Sequence, residues 1–296
     1  ALSPPRHAAR MAPPQPDAAR AAFHGTAEER RAIAAQPHLA PEILVLLAAD
    51  ADPAVRRAVA ANAAAPPHAD RLLAGDAEAA VRAPLARKLG ARAPELMAEE
   101  QDGPRRIRLA RDALLLLAQD VEASVRAALA DALADLPDAP RALVLSLARD
   151  TALEVCEPLI RLSRVLTVED LEALVEAPPA PQTREAVARR LHLPARIAHA
   201  LLRCGDGPAL LALLRNGTAR LEGETLAALA SRAGAWPWLP EALTARPGLP
   251  AALLQTLLPL LTQEALERLL RRTDLPPATL AGLRERAQPK AALVWG

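Results

Sequence analysis

The sequence predicts an all-α chain of short, stacked helix pairs, and three observations carry that prediction. Apolar residues make up 51% of its 296 residues while aromatics are 1%. Its core must therefore be built from Ala, Leu and Val, which suits small helices packed closely on one another. Strand-forming runs of Thr, Ile and aromatic residues are nearly absent. The third observation is internal repetition, at a spacing of about 26 residues.

Taken in order, the chain opens with residues 1–20, which hold five prolines and no periodicity and read as a disordered tail. Within it Met11 begins "MAPPQPD", so residues 1–10 read as an extension. Helical repeats are expected over 21–176. "APPAPQT" at 177–183 reads as a linker or turn, and residues 184–296 continue the array.

The repeat is clearest around "LLAADADPAVRRAVAAN" at 46–62, which returns as "LLAGDAEAAVRAPLARK" at 72–88. Leu46 maps to Leu72, Asp50 to Asp76, Val55 to Val81 and Arg56 to Arg82, each shifted by 26. An earlier fragment, "RRAIAAQ" at 30–36, matches "RRAVAAN" at 56–62. Later copies are "LLAQDVEASVRAALADAL" at 116–133 and "SLARDTALEVCEPLIRL" at 146–162, where Cys156 takes the arginine position. A residue set that returns along one chain belongs to the fold rather than to one active site.

Each position has a physical reason. Asp52 is a good N-cap and Pro53 a good first helical residue, because the missing N–H costs nothing there. Val55 and Val59 supply the apolar stripe. Asp50, Arg56, Asp76, Arg82, Asp120 and Arg126 are expected to form charge-assisted contacts between successive units. Asn62 ends its helix and is expected in the left-handed conformation. Pro84 and Pro158 stand three residues after the core valine, so those helices either begin a turn later or kink. "EEQDGPRR" at 99–106 reads as a long turn.

Connectors carry a second signature, Leu followed closely by Pro: "QPHLAP" at 36–41, "RLHLP" at 190–194, "RPGLP" at 246–250 and "RTDLPP" at 272–277. "AVARRLHLPARIAHALLRCGDGPALLALLRN" repeats the logic of "AIAAQPHLAPEILVLLAADADPAVRRAVAAN", with Asn216 standing where Asn62 does. Two helices of about ten residues, each about 15 Å long, and two turns fill one such unit. Units of this size cannot bury an apolar face alone and must stack, which makes the chain an α-solenoid.

The wording "PxVRxxVAxN…P…LLAxD" at 53–76 resembles leucine-rich-repeat-variant and HEAT-like α-solenoid proteins. From about 110 to 290 the order of segments resembles an uncharacterised bacterial family of the domain-of-unknown-function type. "LARDTALEVCEPLIRLSRVLTVEDLEALV" and "ARPGLPAALLQTLLPLLTQEALERLLRRTDLP" carry this resemblance. It implies an all-helical repeat fold and brings no activity, catalytic residue or cofactor with it.

Functional candidates are few. Asp50 and Asp52 stand two apart, but hard cations need more oxygen ligands at defined spacing. His192, His199, Cys204 and Asp206 fall close together without the spacing of a zinc motif. No metal and no other cofactor is expected. Cys156 and Cys204 lie far apart and read as buried reduced thiols. Gly205 and Gly207 around Asp206 read as a turn.

"AWPWLP" at 235–240 is where an aromatic-poor chain places two tryptophans. Trp236 and Trp238 flank Pro237, and either plug an irregular gap or anchor a partner. Arg215 and Arg220, in the polar loop before them, complete the candidate contact patch. "AALVWG" at the C-terminus reads as a cap for the last repeat, a dock for a partner or a dimerisation segment.

Net charge is +1, evenly spread, with only Lys88 and Lys290 as lysines. That balance, with few rings for base stacking, argues against nucleic acid. No apolar run is long enough for a membrane span and no signal peptide is evident, so a cytoplasmic location is expected. The leading expectation is a non-enzymatic scaffold binding a protein or peptide. The alternative, implied by the HEAT-like resemblance, is a nucleic-acid-binding or DNA base-excision protein. Pairing of two copies through the solenoid ends is a third reading.

Overall fold

A computed structural model describes residues 16–98 and 105–272, with scattered positions between 275 and 284. The described residues form α-helices joined by short turns and two 3-10 turns, with no strand among them. They fall into two compact units that divide at residues 159–166.

The first unit runs through α1 (Pro16–His24), α2 (Ala27–Ala34), α3 (Pro41–Leu47), α4 (Pro53–Ala61), α5 (Pro67–Leu73), α6 (Ala79–Ala91) and α7 (Ala93–Ala98). After residues 99–104, which lie outside the description, come α8 (Arg105–Ala118), α9 (Ala123–Ala134), α10 (Arg141–Ala148) and α11 (Leu153–Leu162), of which the last three residues, 160–162, belong to the second unit. Helices alternate between two layers: α2, α4, α6 and α9 pack in series, as do α1, α3, α5 and α8. This is the stacked two-helix arrangement of an α-solenoid.

The second unit repeats the plan with α12 (Val168–Glu176), α13 (Thr183–Ala188), α14 (Ala195–Cys204), α15 (Gly207–Arg215), α16 (Gly223–Ser231), α17 (Leu239–Ala245), α18 (Ala251–Leu257) and α19 (Gln263–Leu270). Here α12, α14, α16 and α18 form one layer, and α13, α15, α17 and α19 the other.

The local chemistry explains the helices. Asp52 caps α4 by accepting from the Ala54 N–H at 2.7 Å, and Pro53 fills the first helical position. Val55, Val59 and Ala60 are buried on its inner face. The described core is Leu, Ala, Val and Ile with a buried Cys156 and no aromatic ring. Small residues let the layers close up. At Gly90 an added Cβ would sit 2.8 Å from Ala132 and Leu129 side-chain carbons, so glycine sets the approach of α6 to α9.

Asn62 departs from the sequence expectation. It ends α4 at φ −75° and ψ 120°, an extended and not a left-handed conformation. Its buried side chain is used instead: Nδ2 donates to the carbonyls of Ala34 and Gln36, 28 and 26 residues back, at 2.7 and 2.9 Å. Asn216 does the same to Ala188 and Arg190 at 2.8 and 2.7 Å, again 28 and 26 residues back. Arg272 reaches the Thr244 and Arg246 carbonyls at those same two separations. A polar side chain at this position thus staples one repeat to the one before.

Other expectations shift too. Pro84 and Pro158 lie inside α6 and α11, which start five residues earlier and run through them. A helix begins at Pro16, within the segment expected as a tail, and residues 1–15 lie outside the description. Residues 177–183 form a turn inside the second unit, where buried Ala180 donates its N–H to Thr183 Oγ1 at 3.2 Å. The C-terminal "AALVWG" lies outside the described residues. Cys156 is buried, but Cys204, at the end of α14, is exposed.

Candidate binding furrow on the second unit

Two polar constructions stand out, and they differ in what they leave open. In the first unit arginines and aspartates form a ladder with one rung per repeat. Arg30 Nε and Nη2 hold the two carboxylate oxygens of Asp50 at 2.6 and 2.9 Å. Arg56 holds Asp76 at 2.6 and 3.1 Å, and Arg82 holds Asp120 at 2.6 and 2.8 Å. Arg126 holds Asp150 at 2.6 and 3.0 Å. Nη1 of Arg56, Arg82 and Arg126 donates to the carbonyl of Asp50, Asp76 and Asp120 respectively, at 2.9, 2.6 and 2.6 Å. Each aspartate also accepts the N–H two residues on, from Asp52, Glu78, Glu122 and Ala152.

The ladder shapes its own electrostatics. The Arg30 guanidinium holds the Asp50 carboxyl below the usual carboxylate range, outweighing the upward push of burial. At Asp76, Asp120 and Asp150 burial is the largest influence and raises the carboxyl. The bonded arginine and the local backbone N–H groups together overcome it and leave each one lowered. Both oxygens of each carboxylate are thus engaged by the fold itself.

The ladder ends for a sequence reason. Cys156, in the arginine position, is fully buried, and burial pushes its thiol up to about 11. In the second unit Arg184 stands where Arg30 does, but Cys204 replaces Asp50. Arg184 Nε therefore donates to the Val175 carbonyl at 2.8 Å.

Among the described residues no group of three or more His, Cys, Asp and Glu is placed to hold a metal ion. Asp206 caps α15 by accepting the Ala209 N–H at 3.2 Å. Cys204 Sγ faces the Val175 carbonyl, and His199 lies exposed on α14. His192 sits at φ 53° in an exposed turn, donating its N–H to Thr218 Oγ1 at 3.0 Å. Gly248, the third residue of the later "RPGLP" connector as His192 is of "RLHLP", has φ 74°.

The second construction is a furrow along the α13–α15–α17–α19 layer. Trp236 and Trp238 lie on the turn entering α17, half-buried, with rings stacked at 5.8 Å and 27°. They sit over Gly207, the first residue of α15. The rings face a cleft of about 860 Å³ whose wall includes Arg161, Glu185, Arg189, Leu191, Leu211 and Arg215. Trp238, Leu211, Arg215 and Gly217 are shared with a second cleft of about 410 Å³. Glu241, Ala245 and Arg268 are shared between that cleft and a third of about 200 Å³. Of the four residues singled out from sequence, Trp236, Trp238 and Arg215 meet at the first cleft, while Arg220 does not line any of the three.

Arg189, Arg161, Leu191 and Glu185 were not anticipated. Leu191 is 61% exposed on the rim. Its one sequence cue is an apolar residue between Arg190 and His192 at the turn of the "RLHLP" connector.

Residues 155–293 match a family model, DUF2336. It is described as an uncharacterised protein conserved in bacteria. The match covers the whole furrow and begins within α11 rather than near residue 110. Among solved structures the chain is similar to a leucine-rich repeat variant with a novel repetitive structural motif. The identity is 19% and the TM-score 0.36, over 72% of this chain and 88% of that one. No curated protein matches. Among the described residues no helix is long and apolar enough to cross a membrane.

Proposed function

We propose that this helical repeat protein is a non-enzymatic binding scaffold and that the furrow of the second unit takes an extended peptide. One observation carries the proposal: three clefts with shared walls run along the four helices of one layer, with two half-buried tryptophans lining the first of them. Repeat proteins expose such extended surfaces because each unit contacts only its neighbours. Tryptophan is the residue type most enriched in interface anchors. Trp236, Trp238 and Arg215 are the contact residues of this reading.

Single-stranded nucleic acid, stacked on the rings, is the second reading. Against it, most of the arginines of the furrow are already engaged: Arg189 with Glu185, Arg268 with Glu241, and Arg246 and Arg272 with backbone carbonyls, which leaves a phosphate backbone few free donors to follow.

The test is selection of a random twelve-residue peptide library on the immobilised full chain. Binders that lose affinity with Trp236→Ala/Trp238→Ala, while far-UV circular dichroism is unchanged, support the proposal. Failure to enrich any binder, or binders indifferent to both tryptophans, contradicts it. Tighter binding of a poly-dT oligonucleotide at physiological salt, also lost in the variant, favours nucleic acid instead.

A further inference from the structure

We infer that the peptide is acidic, seating one carboxylate on Arg215 and laying a proline-rich stretch across Trp236 and Trp238. This rests on the peptide reading above and adds the chemistry of the occupant.

Most charges of the furrow are already spent. Arg189 pairs with Glu185, and Arg268 with Glu241 at 3.2 Å. Arg246 donates to the carbonyls of Leu213, Leu214, Asn216 and Ala219. Arg272 donates to those of Thr244 and Arg246, and Arg161 is engaged. Arg215 is exposed, lines both larger clefts beside Trp238, and has no hydrogen-bond or ion-pair partner among the described residues. A guanidinium in that position presents a fork of donors that fits one carboxylate.

The tryptophans select the neighbouring residues. Neither indole N–H has a hydrogen-bond partner among the described residues, so each can donate to an incoming carbonyl. A proline-rich backbone makes no internal hydrogen bonds and keeps its carbonyls free, and aromatic-lined grooves take that conformation. Asn216 and Thr218 on the same wall bond each other and the His192 N–H, so they do not compete for the ligand. With Glu185 and Glu241 neutralising Arg189 and Arg268, the free donors of the furrow gather at Arg215, which suits a local negative charge rather than a polyanion.

The twelve-residue library is selected in parallel on the full chain and on Arg215→Glu, whose exposed position leaves the fold intact. Enrichment of Asp or Glu within two or three residues of proline is expected on the parent chain. The best such peptide should lose at least about tenfold in affinity when its acid is replaced by the amide, or on Arg215→Glu. The variant should enrich Lys or Arg at the same place. Furrow-dependent binders with no acidic preference, or binders unmoved by Arg215→Glu, overturn this inference and leave the peptide reading standing. Absence of any tryptophan-dependent binder overturns both.

Discussion

Arg56 holds Asp76, twenty residues ahead, through two hydrogen bonds of 2.6 and 3.1 Å, while its remaining Nη1 closes on the carbonyls of Asp50 and Ala51. One guanidinium therefore ties the turn before its own helix to the corresponding turn one repeat later. With Arg82 and Arg126 doing the same, the rungs connect into a line in which every aspartate is both a partner and a local turn cap.

Breaking a rung should cost more than removing a surface ion pair. Arg82 and Asp120 are 9% and 6% exposed at their side chains. Asp120→Ala leaves the Arg82 fork and the Glu122 N–H without their acceptor, and a loss of about 2 kcal/mol is expected. Urea denaturation checks it. An effect under about 0.5 kcal/mol, the level of exposed pairs, would mean the rung carries no weight.

The pH dependence follows from the same carboxylates. Asp50, Asp76, Asp120 and Asp150 are all lowered in the folded chain. Their stabilisation is complete above the ordinary carboxylate value of about 3.9 and disappears as pH falls through and below it. Asp70 is raised by burial and contributes with the opposite sign. The gap in denaturation midpoint between the parent chain and Asp76→Asn should be full at pH 7 and narrow progressively as pH falls below the ordinary carboxylate value of about 3.9. A constant gap would show that Asp76 titrates normally.

Lys88 and Asp70 form a different kind of pair, at 2.6 Å with side chains 11% and 1% exposed. Burial lowers the lysine and raises the aspartate, and Lys88 also donates to the Asn62 carbonyl at 3.1 Å. Lys88→Met alone strands a buried carboxylate and should cost about 3–5 kcal/mol. Lys88→Met with Asp70→Leu should recover most of that loss. A double variant as unstable as the single one would locate the cost in packing, not in charge.

His192 adopts a conformation that glycine takes at the matching position, Gly248. His192→Gly should be neutral or stabilising by up to about 1 kcal/mol, and His192→Val should destabilise by about 1–2 kcal/mol. Thermal melts of the two variants give the comparison. Equal melting temperatures would show that the turn relaxes.

Much of the fold is legible in the sequence because its repeats are literal. Helix caps such as Asp52, the core valines and the matched spacing of Asp and Arg are local properties of short strings. Asn62 shows where that stops. Its identity marks the end of a helix, but its clamp on Ala34 and Gln36 depends on how one repeat sits on another. The furrow is harder still. Two tryptophans in an aromatic-poor chain single out one wall, but Arg161, Arg189 and Leu191, 45 to 77 residues away in sequence, join them only through the stacking of helices. Arg220 lies near in sequence, yet it falls outside the clefts because its backbone N–H is drawn to the Leu193 carbonyl at 3.1 Å.

The two constructions divide their labour, the ladder binding repeat to repeat and the furrow, in the reading proposed above, binding a ligand. Hydrogen exchange of the full chain, with and without a tryptophan-dependent peptide from the library, tests it most directly. Added protection should concentrate in residues 183–192, 207–218 and 236–246, with the ladder turns at 50–54, 76–80 and 120–124 unchanged. Protection centred on those ladder turns, with none around Trp236 and Trp238, would contradict it.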